Sequence, residues 1–315
     1  MALPSSNTIN FLNTPNRSGS YFPNDGFLDA LLRKIIFQPM ESTYRFSFSR
    51  GTTLPVVEFF ERDDTLPIKP TEVASATDTL FRLGDHTCLD HFDQIGSNRT
   101  DQIEEQVKGI KLGILRQLSA RLILGTTLGG NLGGLNWQVT SGHGVLINST
   151  ATAFLPFLQE FYKARYSSKA VDGLVGGLGG VYFVGNTSAL RLVLACFDGV
   201  GKSARWRYDE ELKVNLLHLC GLPFLLNNSI PNDVVNEETV TSIYVLQLRG
   251  PTAIRILYAK DPFHPCDSFG IHCYSIPLQG DKDNFYQSVV GFYQVHVPED
   301  NIIVRLKDVI VTKYT

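Results

Sequence analysis

Within ten residues, His264, Cys266, His272 and Cys273 bring together two imidazoles and two thiols, the only metal-like cluster of the chain. Structural zinc sites pair their ligands as C-x2–4-C and H-x3–5-H, and this order departs from that pattern. Cys273 also follows His272 directly on an expected strand, where neighbouring side chains point to opposite faces. Gly199-Val200-Gly201-Lys202-Ser203 has the ending of a phosphate-binding loop. The full motif needs a glycine where this chain has Cys196, and a strand before the loop rather than a helix. A nucleophile elbow, G-x-S-x-G, is absent. None of the five cysteines (Cys88, Cys196, Cys220, Cys266, Cys273) has a histidine at a partner's spacing. Ser141-Gly142-His143-Gly144 reads as a turn with a lone histidine, and Asp63-Asp64 and Asp209-Glu210-Glu211 read as solvated acidic faces. Residue chemistry therefore assigns no catalytic residue, no cofactor-binding residue and no metal ligand, and no enzyme is expected.

Composition narrows the classes further. The chain has 315 residues, enough for one large or two ordinary domains, with Lys+Arg 28 against Asp+Glu 31 and a net charge of −3. Only 19% of residues are charged, against about 25% in typical soluble domains. No basic surplus drives nucleic-acid binding, and no acidic surplus marks a disordered chain. A chain poor in charge yet holding 20 Phe and 12 Tyr is expected to cover part of its surface with partners. No apolar run reaches the ~18 residues of a membrane span. The start, MALPSSNTIN, lacks the charged and apolar regions of a signal peptide. An odd cysteine count at irregular spacing reads as reduced intracellular thiols rather than a disulfide framework.

The elements that would position these residues follow from periodicity. Residues 1–26 are rich in Asn, Ser, Pro and Gly and cannot form a core of their own. A helical stretch from Phe27 to Phe37 leads into Tyr44–Arg50, where aromatic and polar residues alternate as in a half-buried strand. A polar excursion from Gly51 to about Ala76 returns through Thr77–Leu83 and is expected to form a protruding hairpin. Asp101 and Glu104 have capping-box spacing, and Ile103, Val107, Ile110, Ile114, Leu118 and Leu122 then share one face of a helix over 101–124. Gly125 ends that helix. Beyond Gly134, helices near Pro156–Ala164 and Ser188–Phe197, the second capped by Ser188 and stopped at Gly199, alternate with strands at Val181–Val184, Pro223–Leu226, Ser242–Leu248, Ala253–Ala259 and Gly270–Ser275. A long strand through Phe285, Val289, Tyr293, Val295 and Val297 and a closing strand at Ile302–Leu306 complete an α+β chain with interleaved parts.

That order of parts resembles the major capsid proteins of tailed bacteriophages with the Hong Kong 97-like fold. Thr52-Thr53-Leu54-Pro55 and the excursion behind it look like the family's extended loop. The helix 101–124 with Leu122-Ile123-Leu124-Gly125 and Asn131-Leu132-Gly133-Gly134-Leu135-Asn136 looks like its spine helix and the turn after it. Val181–Asn186, Gly221-Leu222-Pro223-Phe224 and Thr241–Val245 resemble the core of the axial domain, and Asp283-Asn284-Phe285 through Arg305-Leu306-Lys307 the C-terminal portion.

The resemblance implies an N-terminal arm at 1–42 and an extended loop at 43–86 with its tip at about 51–76. It implies a peripheral domain from 87–135 with 265–299, including the spine helix, and an axial α/β domain from 136–264 with 300–315. It further implies a shell subunit that assembles with itself as hexamers and pentamers into an icosahedral wall, enclosing double-stranded DNA without sequence-specific binding. Scaffold, portal and decoration proteins are the remaining implied partners. The place would be the virion capsid, assembled in the cytoplasm of a bacterial host, with no membrane and no cofactor. About forty residues precede the loop, so a long cleaved scaffolding segment is not expected. Lys69 lies near the loop tip, but no match to the Asn and Glu partners of an isopeptide cross-link is found, and none is expected. Two other readings stand beside this one: an encapsulin-type compartment shell of the same fold, and an α/β enzyme with a metal site at 264–273.

Overall fold

The computed structural model describes residues 30–41, 45–51, 73–90, 99–126, 132–168, 180–199, 205–219, 221–250, 252–260, 266–276 and 284–311. Residues 1–29, Lys69 and the tip of the expected loop lie outside the described residues.

The helical start is shorter than its sequence pattern. Helix α1 is confined to Ala30–Lys34, and the chain turns at once into strand β1, Ile36–Glu41. Pro39 bars a helix from running on through Gln38, and Ile36–Glu41 instead pairs as a strand with Arg255–Lys260. Leu31, Leu32 and Ile35 are buried. This segment is therefore built into the body of the fold, which sequence patterning did not anticipate.

Strands β2, Arg45–Gly51, and β3, Val73–Thr79, form an antiparallel two-stranded ribbon with Arg45 opposite Thr79 and Gly51 opposite Val73. Pairing thus extends farther toward the tip than expected. Leu80, buried, marks the point where the ribbon enters strand β4, Phe81–Asp90. β4 pairs along its whole length with the longest strand, β14, Asn284–His296. β14 also pairs antiparallel with β13, Ile271–Ile276, and β12, Arg255–Lys260, and β1 adds parallel to β12. These five strands make one sheet. The stretch of β12 was grouped from sequence with 136–264. The turn after Gln247, closed by Ile254 N–H to Gln247 O at 2.9 Å, instead carries it into this sheet.

Helix α2, Arg99–Leu124, has 26 residues and a length of about 39 Å at 1.5 Å per residue. It starts two residues before Asp101, so Asp101 lies in its first turn and not at the cap. Its buried face holds Val107, Lys111, Ile114, Leu118 and Leu122, at spacings of three and four that keep them in one stripe. Lys111 on that face donates to Asp267 at 3.2 Å. At the C-terminal end, Gly125 N–H donates to Arg121 O at 2.7 Å and Gly134 N–H to Gly125 O at 2.9 Å. A Cβ at Gly134 would sit against Arg121 O, and one at Gly125 against Leu132 O. Only glycine lets the returning chain lie this close to the helix end.

The second sheet has eight strands in the order β5-β15-β11-β6-β9-β8-β7, with β10 paired to β11. They span Val145–Asn148 (β5), Val181–Gly185 (β6), Arg205–Asp209 (β7), Val214–Leu219 (β8), Leu222–Leu226 (β9), Asp233–Val235 (β10), Glu238–Gln247 (β11) and Ile303–Ile310 (β15). β5 runs parallel to β15 and β6 parallel to β9. A short helix α3, Leu135–Gln138, and a wider turn through His143 lead into β5. Helices α4, Phe154–Tyr166, and α5, Thr187–Gly199, follow β5 and β6.

Alternation within the strands splits the interior in two. Tyr182, Val184, Tyr244 and Leu246 join α1, α2 and the five-stranded sheet in one cluster. Val181, Phe183, Ile243 and Val245, one position along, join α4 and α5 in the other. Phe161 of α4 stacks on Phe183 with ring centroids 4.2 Å apart.

The start of α5 differs from the sequence reading in one respect. Its cap is Asn186, whose Oδ1 accepts from Ala189 N–H at 2.9 Å, and not Ser188. Asn186 Nδ2 lies 3.1 Å from Ile230 O, 2.7 Å from Asn232 Oδ1 and 2.8 Å from Thr241 Oγ1. One buried amide therefore fixes the helix start and the loop before β10 together.

Candidate functional site

The chemistry suggested by residues 264–273 is dispersed by the strand pleat. His272 Nε2 lies 2.9 Å from Ala259 O, while Cys273 packs into the apolar cluster beneath β14. Burial pushes the Cys273 thiol up to about 11. Cys266 forms a backbone bridge to His272, and His264 lies outside the described residues. Among the described residues, no three of His, Cys, Asp and Glu are grouped to hold a metal ion. Cys196 is buried in α5, where desolvation pushes its thiol up to about 12. Of the phosphate-loop-like run, Gly199 is the last residue of α5 and 200–204 lie outside the described residues. His143 Nδ1 is 3.0 Å from Asp300 Oδ1, joining the turn before β5 to the turn before β15.

A cleft between β4, α2 and β14 is lined by Phe81, Arg82, Gln117, Arg121 and Tyr293 among others, and among the described residues its walls carry no carboxylate, thiol or imidazole. No helix among the described residues is long and apolar enough to cross a membrane.

Two acidic residues read as solvated are engaged instead. Lys34 of α1, only 4% exposed, donates to Asp209 and Glu211 at 2.8 Å each, and Arg249 donates to the other oxygen of Glu211. Its ammonium also lies 6.0 Å from the Tyr182 ring centroid. Burial alone would lower the pKa of Lys34, but the hydrogen bonds it donates to Asp209 and Glu211 outweigh it and hold it above the ordinary lysine value. Burial likewise opposes ionisation of Asp209 and Glu211. The bonds from Lys34, from Leu212 N–H to Asp209 and from Arg249 to Glu211 hold both below the ordinary carboxylate range. This joint ties α1 to the turn between β7 and β8. The pairing is 175 residues apart in the chain, so no local pattern reveals it.

What the described surface does offer is contact chemistry. β7 is the last strand of its sheet, and Arg205, Trp206, Arg207 and Tyr208 are all exposed, Trp206 at 59% and Tyr208 at 62%. β10 is exposed at every position, with Val234 at 75%. The turn from β10 to β11 holds Asn236 and Glu237 at positive φ (50° and 66°), the geometry of a tight hairpin. Neither strand was expected from the sequence. The alternation Arg-Trp-Arg-Tyr was the available signal for β7. For β10 there was little, since Asn-Glu stands where a glycine usually marks such a turn.

No protein-family model and no curated protein matches the chain. Solved structures do match. The holo-SrpI encapsulin complex from Synechococcus elongatus PCC 7942 is similar with TM-score 0.64 and 16% identity, covering 100% of this chain and 99% of that one. The capsid of an empty GTA particle gives TM-score 0.61 and 14% identity, with 98% and 100% covered. The capsid asymmetric unit of Cyanophage A-1(L) gives 0.57 and 11%, with 94% and 97% covered. The fold is the α+β Hong Kong 97-like capsid fold.

Proposed function

We propose that this chain is a shell subunit, built to assemble with itself into hexamers and pentamers of a closed icosahedral wall. The observation that carries this reading is the end-to-end likeness in fold to capsids and an encapsulin, with 98% or more of this chain covered by two of them. In this reading α2 and the five-stranded sheet, including β1 and β12, form the peripheral part. The eight-stranded sheet with α4 and α5 forms the axial part, and the β2–β3 ribbon is the base of the extended loop. The content is double-stranded DNA of a tailed bacteriophage. A net charge of −3 suits a wall that must not cling to packaged phosphates. The subunit has structural rather than catalytic work, with copies of itself as main partners, and scaffold, portal and decoration proteins as further ones.

A second reading, an encapsulin-type compartment, is favoured by the encapsulin match at TM-score 0.64. Expression of the full chain, sedimentation and negative-stain microscopy test the shared part: closed shells are expected. A species that stays monodisperse at the 35.0 kDa subunit mass in varied salt, with and without scaffold, would overturn it. The content decides between the readings, nuclease-protected DNA for the phage and a folded protein cargo for the compartment.

A further inference from the structure

We propose that the β10–β11 hairpin of one copy seats on the β7 edge of the next, so that the contact runs head to tail around a ring. This rests on the shell reading and deepens it by naming the surfaces.

The two patches are complementary in charge and side-chain type. Among the described residues β7 ends its sheet, with no strand beyond it, and such an edge is a template for pairing. Its side chains alternate Arg205 and Arg207 with Trp206 and Tyr208, all exposed, and neither arginine has an ion pair among the described residues. The hairpin carries the opposite charge, Asp233 and Glu237, around Val234 and Val235, all exposed. Charges of one sign flanking aromatics thus meet charges of the other sign flanking aliphatics.

Within one copy the patches cannot satisfy each other. The register places β10 on the edge of β11 that also carries β6, since Val240 pairs with Ile310 on its other side. From there β9 and β8 intervene before β7, a separation of about 15 Å at ~4.8 Å per strand. Nor can either patch pair with itself. Two β7 edges would oppose arginine to arginine, and two hairpins acid to acid, arrangements that repel. Charge therefore favours the mixed contact, and a contact between different patches of identical copies is head to tail, closing into a ring where its rotation closes. The hairpin is held ready for it: Asn186 and Thr241 fasten the preceding loop through Asn232, Ile230 and Pro231.

The test uses the full chain and three variants: R205E/R207E, D233K/E237K, and the four substitutions combined. All four positions are exposed, so circular dichroism should show folded subunits. Each double variant is expected to lower the yield of sedimenting shells by about tenfold or more, and the combined variant to restore it, because the reversed charges again oppose each other. Hydrogen exchange adds a measure independent of any variant: amides of 205–209 and 233–238 should both gain protection in the wild-type assembly over the subunit. Shells forming normally from either double variant, failure of the combined variant to recover, or unprotected β7 amides in the assembly would each overturn the contact. So would shells that form from R205E/R207E but lose bound nucleic acid, which would assign the edge to that partner instead. In every such case the wild-type shells still stand, whereas wild-type chain that never assembles defeats the shell reading itself.

Discussion

Replacing Lys34 with methionine removes the cation that joins α1 to the β7–β8 turn while keeping most of the buried stem. The cost is worked from its two partners. Asp209 has a side chain 18% exposed, so its charge-assisted bond counts nearly in full, ~2 kcal/mol. Glu211 is 47% exposed and keeps Arg249, which discounts its share to below ~1 kcal/mol. Sparing the desolvation of an ammonium returns about 1 kcal/mol. The net loss is about 1–2 kcal/mol, or a fall of about 0.3–0.7 M in the urea midpoint at a slope of ~3 kcal/mol per molar. The pH dependence has a definite sign. Asp209 and Glu211 have folded pKa values below their ordinary 3.8 and 4.5, so their contribution is present above those values and disappears as pH falls through the folded ones. Lys34 is shifted above 10.5, so its contribution persists to that pH and disappears as pH rises through the folded value. The gap between wild type and K34M is therefore flat from about pH 5 to 10 and contracts toward pH 3. Equal midpoints at pH 7, or a gap undiminished at pH 3, would refute the reasoning.

Three further outcomes are expected. Gly134→Ala forces a Cβ against Arg121 O and Gly125 N and should destabilise the subunit by ~2–4 kcal/mol or prevent folding, read by thermal melting; a wild-type melt would show that the helix end can yield. Asn186→Ala loses the cap of α5 and its buried bonds for ~2–3 kcal/mol, whereas Ser188→Ala loses one exposed bond to Asn232 and should cost under ~1 kcal/mol; the reverse order in urea titrations would restore Ser188 as the cap. Cys196 and Cys273, buried and with thiols raised to about 12 and about 11, should resist iodoacetamide at pH 8 in the folded subunit and react on unfolding; rapid labelling of either in the native state would contradict their burial.

Long elements with strong periodicity were readable in the sequence. Val107, Ile114, Leu118 and Leu122 mark α2 by spacing alone, and the alternation Tyr44–Arg50 marks β2. Ends were less readable where a distant residue decides them. Asn186, rather than Ser188, caps α5 because Ile230, Asn232 and Thr241 surround it. β12 joins the five-stranded sheet because β1 and β14 receive it. Charge was misread for the same cause: Asp209 and Glu211 look solvated until α1 brings Lys34 to them. The parting of His272 and Cys273, one bonded to Ala259 O and the other in the apolar cluster, was readable because pleating is a local rule. The exposed surfaces on β7 and β10 escaped notice because a short edge strand has little periodicity to show.

The pairing of β1 with β12 and of β5 with β15 also sets the timing of synthesis. β1 leaves the ribosome 219 residues before its partner, Ile36 pairing with Arg255, and β11 waits for β15. Neither sheet can close on a nascent chain, and contacts so distant in sequence form slowly. Unfinished chains display open strand edges and invite aggregation, a hazard that chaperones answer. The same delay leaves the sheet that carries β7 and β10 without one of its inner strands until β15 has been made.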